Sequence, residues 1–440
     1  MTTEPDQLVR EGRVHRDVYV SARVFEQERA RLFRNAWIYV GHDSQVPSAG
    51  DYVTVELGDV GLILLRDGSE DGDAGLRVLM NRCAHKGVRM LDDRSGHVGR
   101  MLRCPYHAWT YRLDGRLIGQ PIKQGYEGTP LARSPAADGL ARVGAMAVHR
   151  GFVFVRLAPE GIGFTDYFGP ALAALDNMAD RSPLGRLEVV GRPQRNLVHA
   201  NWKTYIENIN DSVHPPAAHE SVIAAARHVW RDQPADAVKP MAIEQILPFA
   251  SGYDFFDGMG ARTMPNGHSF LGVNFNIHTS YGGLSDYEKA MNDAWGEERA
   301  AEILGFRSQN SVLYPSVSVK SSPLAIRVLR PLAVDRTIVE SWAFRAVGAP
   351  EVLAERGLTY NRLVFSPMSA IAHDDVHLFE SIQRALAAEG NDWIDLNRDL
   401  RDAESPDDDR VVNGTNEALM RNQFRAWVRF MNAPANGDAR

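Results

Sequence analysis

The sequence predicts an α+β protein in which a small antiparallel β domain is inserted into a larger domain of antiparallel sheet and covering helices. Three observations predict it. The chain has 440 residues, more than one hydrophobic core usually spans. Alternating and apolar strand-like runs with turn signals are concentrated between Asp51 and Leu157. Helical periodicity lies on both sides of that stretch, mixed on the C-terminal side with further strand-like runs. The implied division is a helical N-terminal segment at 1–44 that packs on the larger domain, a β domain at 45–160, and the larger domain at 161–440.

Taken in order, residues 22–37 predict a helix with Phe25, Leu32, Phe33 and Trp37 on one side. Val53, Val55 and Leu57 alternate with Thr54 and Glu56, as in a half-buried strand. Val60–Arg66 and Leu76–Arg82 predict further strands around an acidic, Gly-rich loop. Within Trp109–Leu117, Asp114-Gly115 predicts a two-residue hairpin loop, and Val148–Leu157 closes the β-rich stretch. Beyond residue 160 the spacing predicts a helix over Asn201–His214 and strands over much of 241–280 and 311–345. Amphipathic helices are predicted at 285–304, 367–388 and 415–431. The acidic run Asp407–Asp409 reads as a solvated loop.

Composition excludes several function classes. A hydrophobic fraction of 44% with 24% charged residues is ordinary for a globular protein. The net charge of −7 argues against a nucleic-acid partner. Met1–Gly12 is polar and acidic, without the apolar core of a signal peptide. No run has the uninterrupted apolar length of a membrane span, so a cytoplasmic location is expected.

The two cysteines are Cys83 and Cys104, too few for a disulfide framework. Cys83-Ala84-His85 is followed, after 18 intervening residues, by Cys104-Pro105-Tyr106-His107. Gly87 and Pro105 favour tight loops, so two facing loops would offer two thiolates and two imidazoles. Unrelated thiols, a structural zinc site and a Rieske [2Fe–2S] cluster all accommodate that set. Zinc-finger spacing, however, groups Cys with Cys and His with His, whereas a Rieske cluster puts two Cys on one iron and two His on the other. Arg82, Lys86, Arg89, Arg94, Arg100 and Arg103 surround the loops, as a solvated basic face or as a docking surface for an acidic electron carrier.

A second constellation follows. On a helix over Asn201–His214, Trp202, Tyr205, Ile206, Ile209 and Val213 share one face, and Thr204, Glu207, Asn208, Asp211 and His214 share the other. Pro215-Pro216 cannot continue that helix, so His219 can turn back towards His214. In 367–388, Ser366 and Pro367 suit the N-cap and first helical position. Met368, Ile371, Leu378, Phe379, Ile382 and Leu386 form the apolar stripe, and Asp375 lies inside it while His373, Asp374, His377 and Glu380 lie off its centre. A carboxylate buried there needs an Arg, a helix cap or a metal. Two His and one carboxylate are the ligand set of non-heme Fe(II) oxygenases. Phe255, Phe256, Phe270, Phe275 and Phe365 are candidates for an aromatic pocket or for plain core.

These motifs resemble those of the Rieske non-heme iron ring-hydroxylating oxygenases, large (alpha) subunit. Cys83-Ala-His85-Lys-Gly87 with Cys104-Pro-Tyr-His107-Ala-Trp109 resembles their cluster motif, Lys86 standing where Arg is usual. Asn201-Trp-Lys…Glu207-Asn208-x-x-Asp211-x-x-His214-x4-His219 and His373-Asp-Asp375-x4-Glu380-x-x-Gln383 resemble their iron-binding segments, with Val213 in place of a common Tyr. The resemblance covers about residues 20–430. It implies a helix-grip-like catalytic domain. It further implies a [2Fe–2S] cluster on Cys83, His85, Cys104 and His107, and mononuclear Fe(II) on His214, His219 and Asp375. Asn208 would lie near the iron, and Asp211 would link a Rieske histidine of a neighbouring subunit to an iron-ligand histidine. Also implied are a ferredoxin and/or reductase, with NAD(P)H used indirectly through the separate reductase, and O2 with an aromatic substrate. A homotrimer, or an α3β3 assembly with a small beta subunit, is expected. The activity implied is (di)hydroxylation of an aromatic compound; the tail Met420–Trp427 is similar to those of relatives acting on aromatic carboxylates. An O- or N-demethylating monooxygenase is the alternative.

Overall fold

A computed structural model describes residues 4–70, 72–277, 284–401, 403–405 and 409–433. Met1–Thr3 of the polar N-terminal stretch, residues 278–280 of the strand-like run over 241–280, and Asp407 and Asp408 of the acidic run lie outside the described residues. Two units divide the chain, Arg34–Gly161 forming one and Met1–Phe33 with Ile162–Arg440 the other.

In the unit Arg34–Gly161, the strands Leu76–Met80, Val60–Arg66, Asp51–Leu57 and Ser95–His97 pair antiparallel in that order. Up to Leu65 the strand Val60–Arg66 is apolar or small, and both its faces are covered. Ile63 and Leu65 enter one core with Tyr111, Trp109 and both cysteines, while Leu62 and Leu64 enter another with Val40, Val153 and Val155. A three-stranded sheet of Met101–Arg103, Thr110–Arg112 and Leu117–Gly119 carries the second Cys-His loop at its start. The hairpin loop there is three residues long rather than two. The Arg112 N–H reaches the Arg116 carbonyl at 2.8 Å, and Gly115 takes φ +90°, the extra residue being absorbed as a Gly bulge. Val148–Leu157 falls on a hairpin, Ala145–His149 against Phe152–Arg156.

The larger unit is built on an antiparallel sheet of nine strands among the described residues. Its order runs Leu187–Val189, Arg336–Ala346, Ala325–Ala333, Val317–Lys320, Asn310–Leu313, Ser269–Leu271, Ala261–Thr263, Arg410–Val412, with Gln194–Val198 also on Arg336–Ala346. The helix Glu351–Phe365 packs on Arg336–Ala346, and Ala418–Asn432 on Ala261–Thr263. The sequence-based expectation of strands over 241–258 fails. Met241–Ile246, Leu247–Ala250 and Tyr253–Gly258 are helical turns, because short apolar runs fit either period and Pro240 and Pro248 suit helix starts. No described helix is long and apolar enough to cross a membrane.

Candidate functional site

The two Cys-His loops share one backbone pattern. The Cys83 N–H bonds to the Val88 carbonyl and the Gly87 N–H returns to the Cys83 carbonyl; the Cys104 N–H bonds to Trp109 and the Ala108 N–H returns to Cys104. The fifth residue of each loop therefore turns left-handed, Gly87 at φ +75° and Ala108 at φ +53°, so Ala108 stands where glycine costs least. Both thiols are buried and free. The His85 and His107 ring centroids lie 4.8 Å apart, and His85 stacks on Trp109 at 4.7 Å. His85 Nδ1 is buried without a hydrogen-bond partner. Burial, then the positive neighbours His107 and Lys86, hold the His85 pKa below its ordinary value, which favours the neutral, metal-binding imidazole. One feature escaped the sequence reading: the Tyr111 hydroxyl lies 3.1 Å from Cys83 Sγ.

In the larger unit the predicted helix over Asn201–His214 stops at Ile209. The Asp211 side chain accepts the N–H groups of Val213 and His214 at 2.7 and 3.3 Å, a local turn that competes with helix. Asn201 caps the start by accepting the Lys203 N–H. Lys203 and Glu28 form a buried ion pair at 2.6 Å, and the same carboxylate accepts both Trp202 Nε1 and Trp427 Nε1. Glu28 thus pins the helix to the N-terminal and C-terminal helices. Pro215 and Pro216 open a new turn, Pro215–Ala218, at whose end His219 sits buried.

Asp375 arrives on the helix Ala370–Ala387, capped by Ser369 and not Ser366; Ser366 instead ends the preceding helix. The buried line is Ile371, Phe379 and Gln383, with Asp375 in register between them. Met368, Leu378 and Ile382, expected in the apolar stripe, are exposed. Gln383 accepts the Asn201 N–H at 2.9 Å and Glu380 the His199 N–H at 3.1 Å, so the two helices meet in a fixed register.

That docking brings ligand atoms of His214, His219 and Asp375 within 4.8 Å of one another, the group among the described residues able to hold a single metal ion. Asn208 Nδ2 donates to Asp375 Oδ1 at 3.1 Å and stands 3.1 Å from His214 Nε2. Asp211 Oδ2 faces His214 Nδ1 at 3.3 Å, and Asp374 Oδ2 faces His219 Nδ1 at 3.3 Å. Although burial disfavours its charge, His214 has a raised pKa because Asp211 and Asp375 outweigh that cost. Burial likewise opposes the Asp211 charge, but His214, the Val213 N–H and Arg398 lower its pKa on balance. The sequence reading missed Asp374, whose side chain leaves the helix about 100° from Asp375.

The trio opens on a cavity lined by Phe249, Phe256, Phe365, Tyr205, Leu271 and Val364 among others. Of the predicted aromatics, Phe256 and Phe365 line it. Phe255 is exposed and packs on Phe275, and Phe270 packs on Phe306. Arg421 of the Met420–Trp427 tail is buried against Glu404 at 2.9 Å, and the tail does not line the cavity.

The sequence profile of the Rieske [2Fe–2S] domain matches residues 36–131, and that of the ring-hydroxylating alpha subunit catalytic domain matches residues 184–433. The chain belongs to the ring-hydroxylating alpha subunits. This alpha subunit is 27% identical over 432 residues to the anthranilate 1,2-dioxygenase large subunit of Acinetobacter baylyi, covering 95% of this chain and 89% of that one. It is 26% identical over 397 residues to the N,N-dimethyl phenylurea N-demethylase subunit alpha of a Sphingobium species, covering 86% and 81%. Among solved structures, naphthalene 1,2-dioxygenase with indole bound in the active site has a TM-score of 0.77 at 21% identity, covering 98% of this chain and 95% of that one. The fold is therefore that of a Rieske β domain joined to a ring-hydroxylating catalytic domain, within an oxidoreductase family that uses mononuclear iron.

The residues of this alpha subunit fit both groups. The β domain supplies two buried thiols and two close imidazoles, one with an orphaned buried nitrogen, as a [2Fe–2S] centre with mixed ligands requires. The catalytic unit supplies two imidazoles and one carboxylate, each imidazole backed by a second carboxylate, as a facial Fe(II) site requires.

Proposed function

We propose that this alpha subunit is a terminal oxygenase component that uses O2 and electrons supplied through a ferredoxin and/or reductase to hydroxylate or dihydroxylate an aromatic substrate. The carrying observation is the convergence of His214, His219 and Asp375 on an aromatic-lined cavity. Cys83, Cys104, His85 and His107 would hold the [2Fe–2S] cluster, and His214, His219 and Asp375 the Fe(II). When bound, the two centres supply one-electron storage and reductive activation of O2. The protein's part is positional. Asp211 and Asp374 orient the two imidazoles, Asn208 holds Asp375 through its Oδ1, and Phe249, Phe365 and Val364 shape a water-poor space for a ring. Asp211 is also assigned the link from His214 to a Rieske histidine of a neighbouring subunit, which makes the working unit a homotrimer, alone or as α3β3 with a small beta subunit. NAD(P)H enters indirectly, through the separate reductase, and a cytoplasmic location belongs to the same proposal.

A second reading, O- or N-demethylation by monooxygenation, is favoured by the likeness to the phenylurea N-demethylase alpha subunit. Turnover of an aromatic panel under labelled O2 with a surrogate electron donor separates the two. Dihydroxylation places two labelled atoms in one product, whereas demethylation releases formaldehyde and leaves no labelled atom in the demethylated aromatic product. Protein that binds neither labile sulfide nor iron after anaerobic reconstitution excludes both.

A further inference from the structure

The strands Val317–Lys320 and Ala325–Ala333 pair with Ser318 opposite Arg327 and Lys320 opposite Ala325. Alternation then sends the side chains of Lys320 and Arg327 off the same face of the sheet, and both line the cavity that holds His214, His219 and Asp375. Both are buried, at 6% and 7% exposure. Three other buried cations of this unit face acids: Lys203 faces Glu28, Arg330 faces Glu340, and Arg421 faces Glu404, while Arg181 donates to Asn177 Oδ1 and the Ile303 carbonyl. Lys320 and Arg327 face none among the described residues. Arg327 meets neutral groups: its Nη2 donates to the oxygens of Asn310 and Ser318, at 3.2 and 3.0 Å, the Tyr205 hydroxyl also accepts from it, and its guanidinium lies 4.4 Å over the Phe365 ring. Lys320 Nζ donates to the Gln309 carbonyl at 3.1 Å, which occupies one of its three donors. The acidic residues of the lining, Asp211 and Asp375, are both engaged by the histidines.

Two buried like charges without a counter-ion are costly. Burial, then the charge of Arg327, push the Lys320 pKa well down. An anion arriving in the cavity removes both penalties, and a planar carboxylate matches the guanidinium fork. Resting on the oxygenase reading above, we propose that the substrate is an aromatic acid whose carboxylate is held by Arg327 and Lys320 while its ring lies against the apolar wall. The same charges disfavour a cationic substrate such as a quaternary ammonium.

The test is calorimetric binding to the purified holoprotein, without reductant, after its cluster spectrum and iron content have been verified. The probes are benzoate, phenylacetate and cinnamate, each beside its primary amide. At least one acid is expected to bind roughly tenfold or more tightly than its amide, the worth of one charge-assisted hydrogen-bonded contact. Arg327→Gln should abolish that preference and Lys320→Met should reduce it. No acid preference in the wild type, including no binding of any probe, overturns the proposal, as does a preference that survives Arg327→Gln. Should Arg327→Gln fail to fold, Arg327→Lys, which loses the fork, is measured with Lys320→Met, and a preference unaltered in both overturns it. Protein lacking cluster or iron would sink the oxygenase reading instead; iron-loaded protein indifferent to acid and amide sinks this inference alone.

Discussion

Asp374 Oδ2 lies 3.3 Å from His219 Nδ1, the relation that Asp211 Oδ2 bears to His214 Nδ1 at the same distance. With a carboxylate oxygen behind each far nitrogen, both Nε2 atoms face Asp375 Oδ1, at 3.5 and 3.7 Å. A carboxylate behind a metal-binding imidazole fixes its tautomer and raises its basicity. Asp374→Ala is therefore expected to weaken Fe(II) retention by roughly 10–100-fold while leaving the visible spectrum of the cluster unchanged. Iron titration of the apo-protein checks it. Wild-type affinity in the variant would make Asp374 an ordinary surface acid.

The Tyr111 hydroxyl touches Cys83 Sγ at 3.1 Å and also accepts the Ala84 N–H at 3.3 Å. A donor on a thiolate sulfur favours the electron-richer, reduced state of a cluster. Tyr111→Phe should lower the midpoint potential by roughly 60 mV, which corresponds to a hydrogen bond stronger by about 1.4 kcal/mol in the reduced state. Protein-film voltammetry reads the shift directly, and an unchanged potential would mean that the contact is only packing.

How far the sequence spoke depended on what kind of signal each residue carried. Val60–Arg66 was legible as a strand because every one of its positions is apolar or small until Arg66, and the strand does have those bounds. His214 and His219 were legible as a pair because Pro215-Pro216 between them forbids a continuous helix. The end of that helix at Ile209 was not, since the Asp211 side chain stops it by a local bond invisible to periodicity. Asp374 was hidden beside Asp375, because periodicity chooses between adjacent acids but cannot say what lies behind a histidine. Phe249 and Arg327 were hidden for another reason: the cavity is assembled from elements far apart in sequence, and only strand register places Arg327 beside Lys320.

Around the Cys-His loops, Arg82, Lys86, Arg94, Arg100 and Arg103 are exposed and make no ion pair among the described residues. Arg89 differs, being paired with Glu56 and with Asp92. The remaining five give the face a positive field able to steer an acidic carrier. Reduction of the cluster by an acidic plant-type [2Fe–2S] ferredoxin should slow by roughly tenfold or more between about 0.01 and 0.3 M NaCl, as the screening length shrinks. Stopped-flow rates across that range test it. A flat salt profile would mark the face as merely solvated.

Glu404 anchors the C-terminal helix through Arg421 at 2.9 and 3.0 Å and Arg425 at 2.5 Å, with Arg410 as a third partner. Burial works against its charge, yet the arginines win and take its pKa from the ordinary 4.5 to about 2. A carboxylate depressed in the folded state stabilises the fold fully above its unfolded pKa, and the contribution is lost as pH falls from about 4.5 to about 2. The shift corresponds to on the order of 3 kcal/mol. Glu404→Gln should therefore lower the melting temperature at pH 7, leaving the buried Arg421 guanidinium without its counter-charge. The gap between variant and wild type should close as the pH is lowered through that window. A gap that stays constant from pH 7 to pH 3 would mean that Glu404 acts through shape and neutral hydrogen bonds, not through its charge.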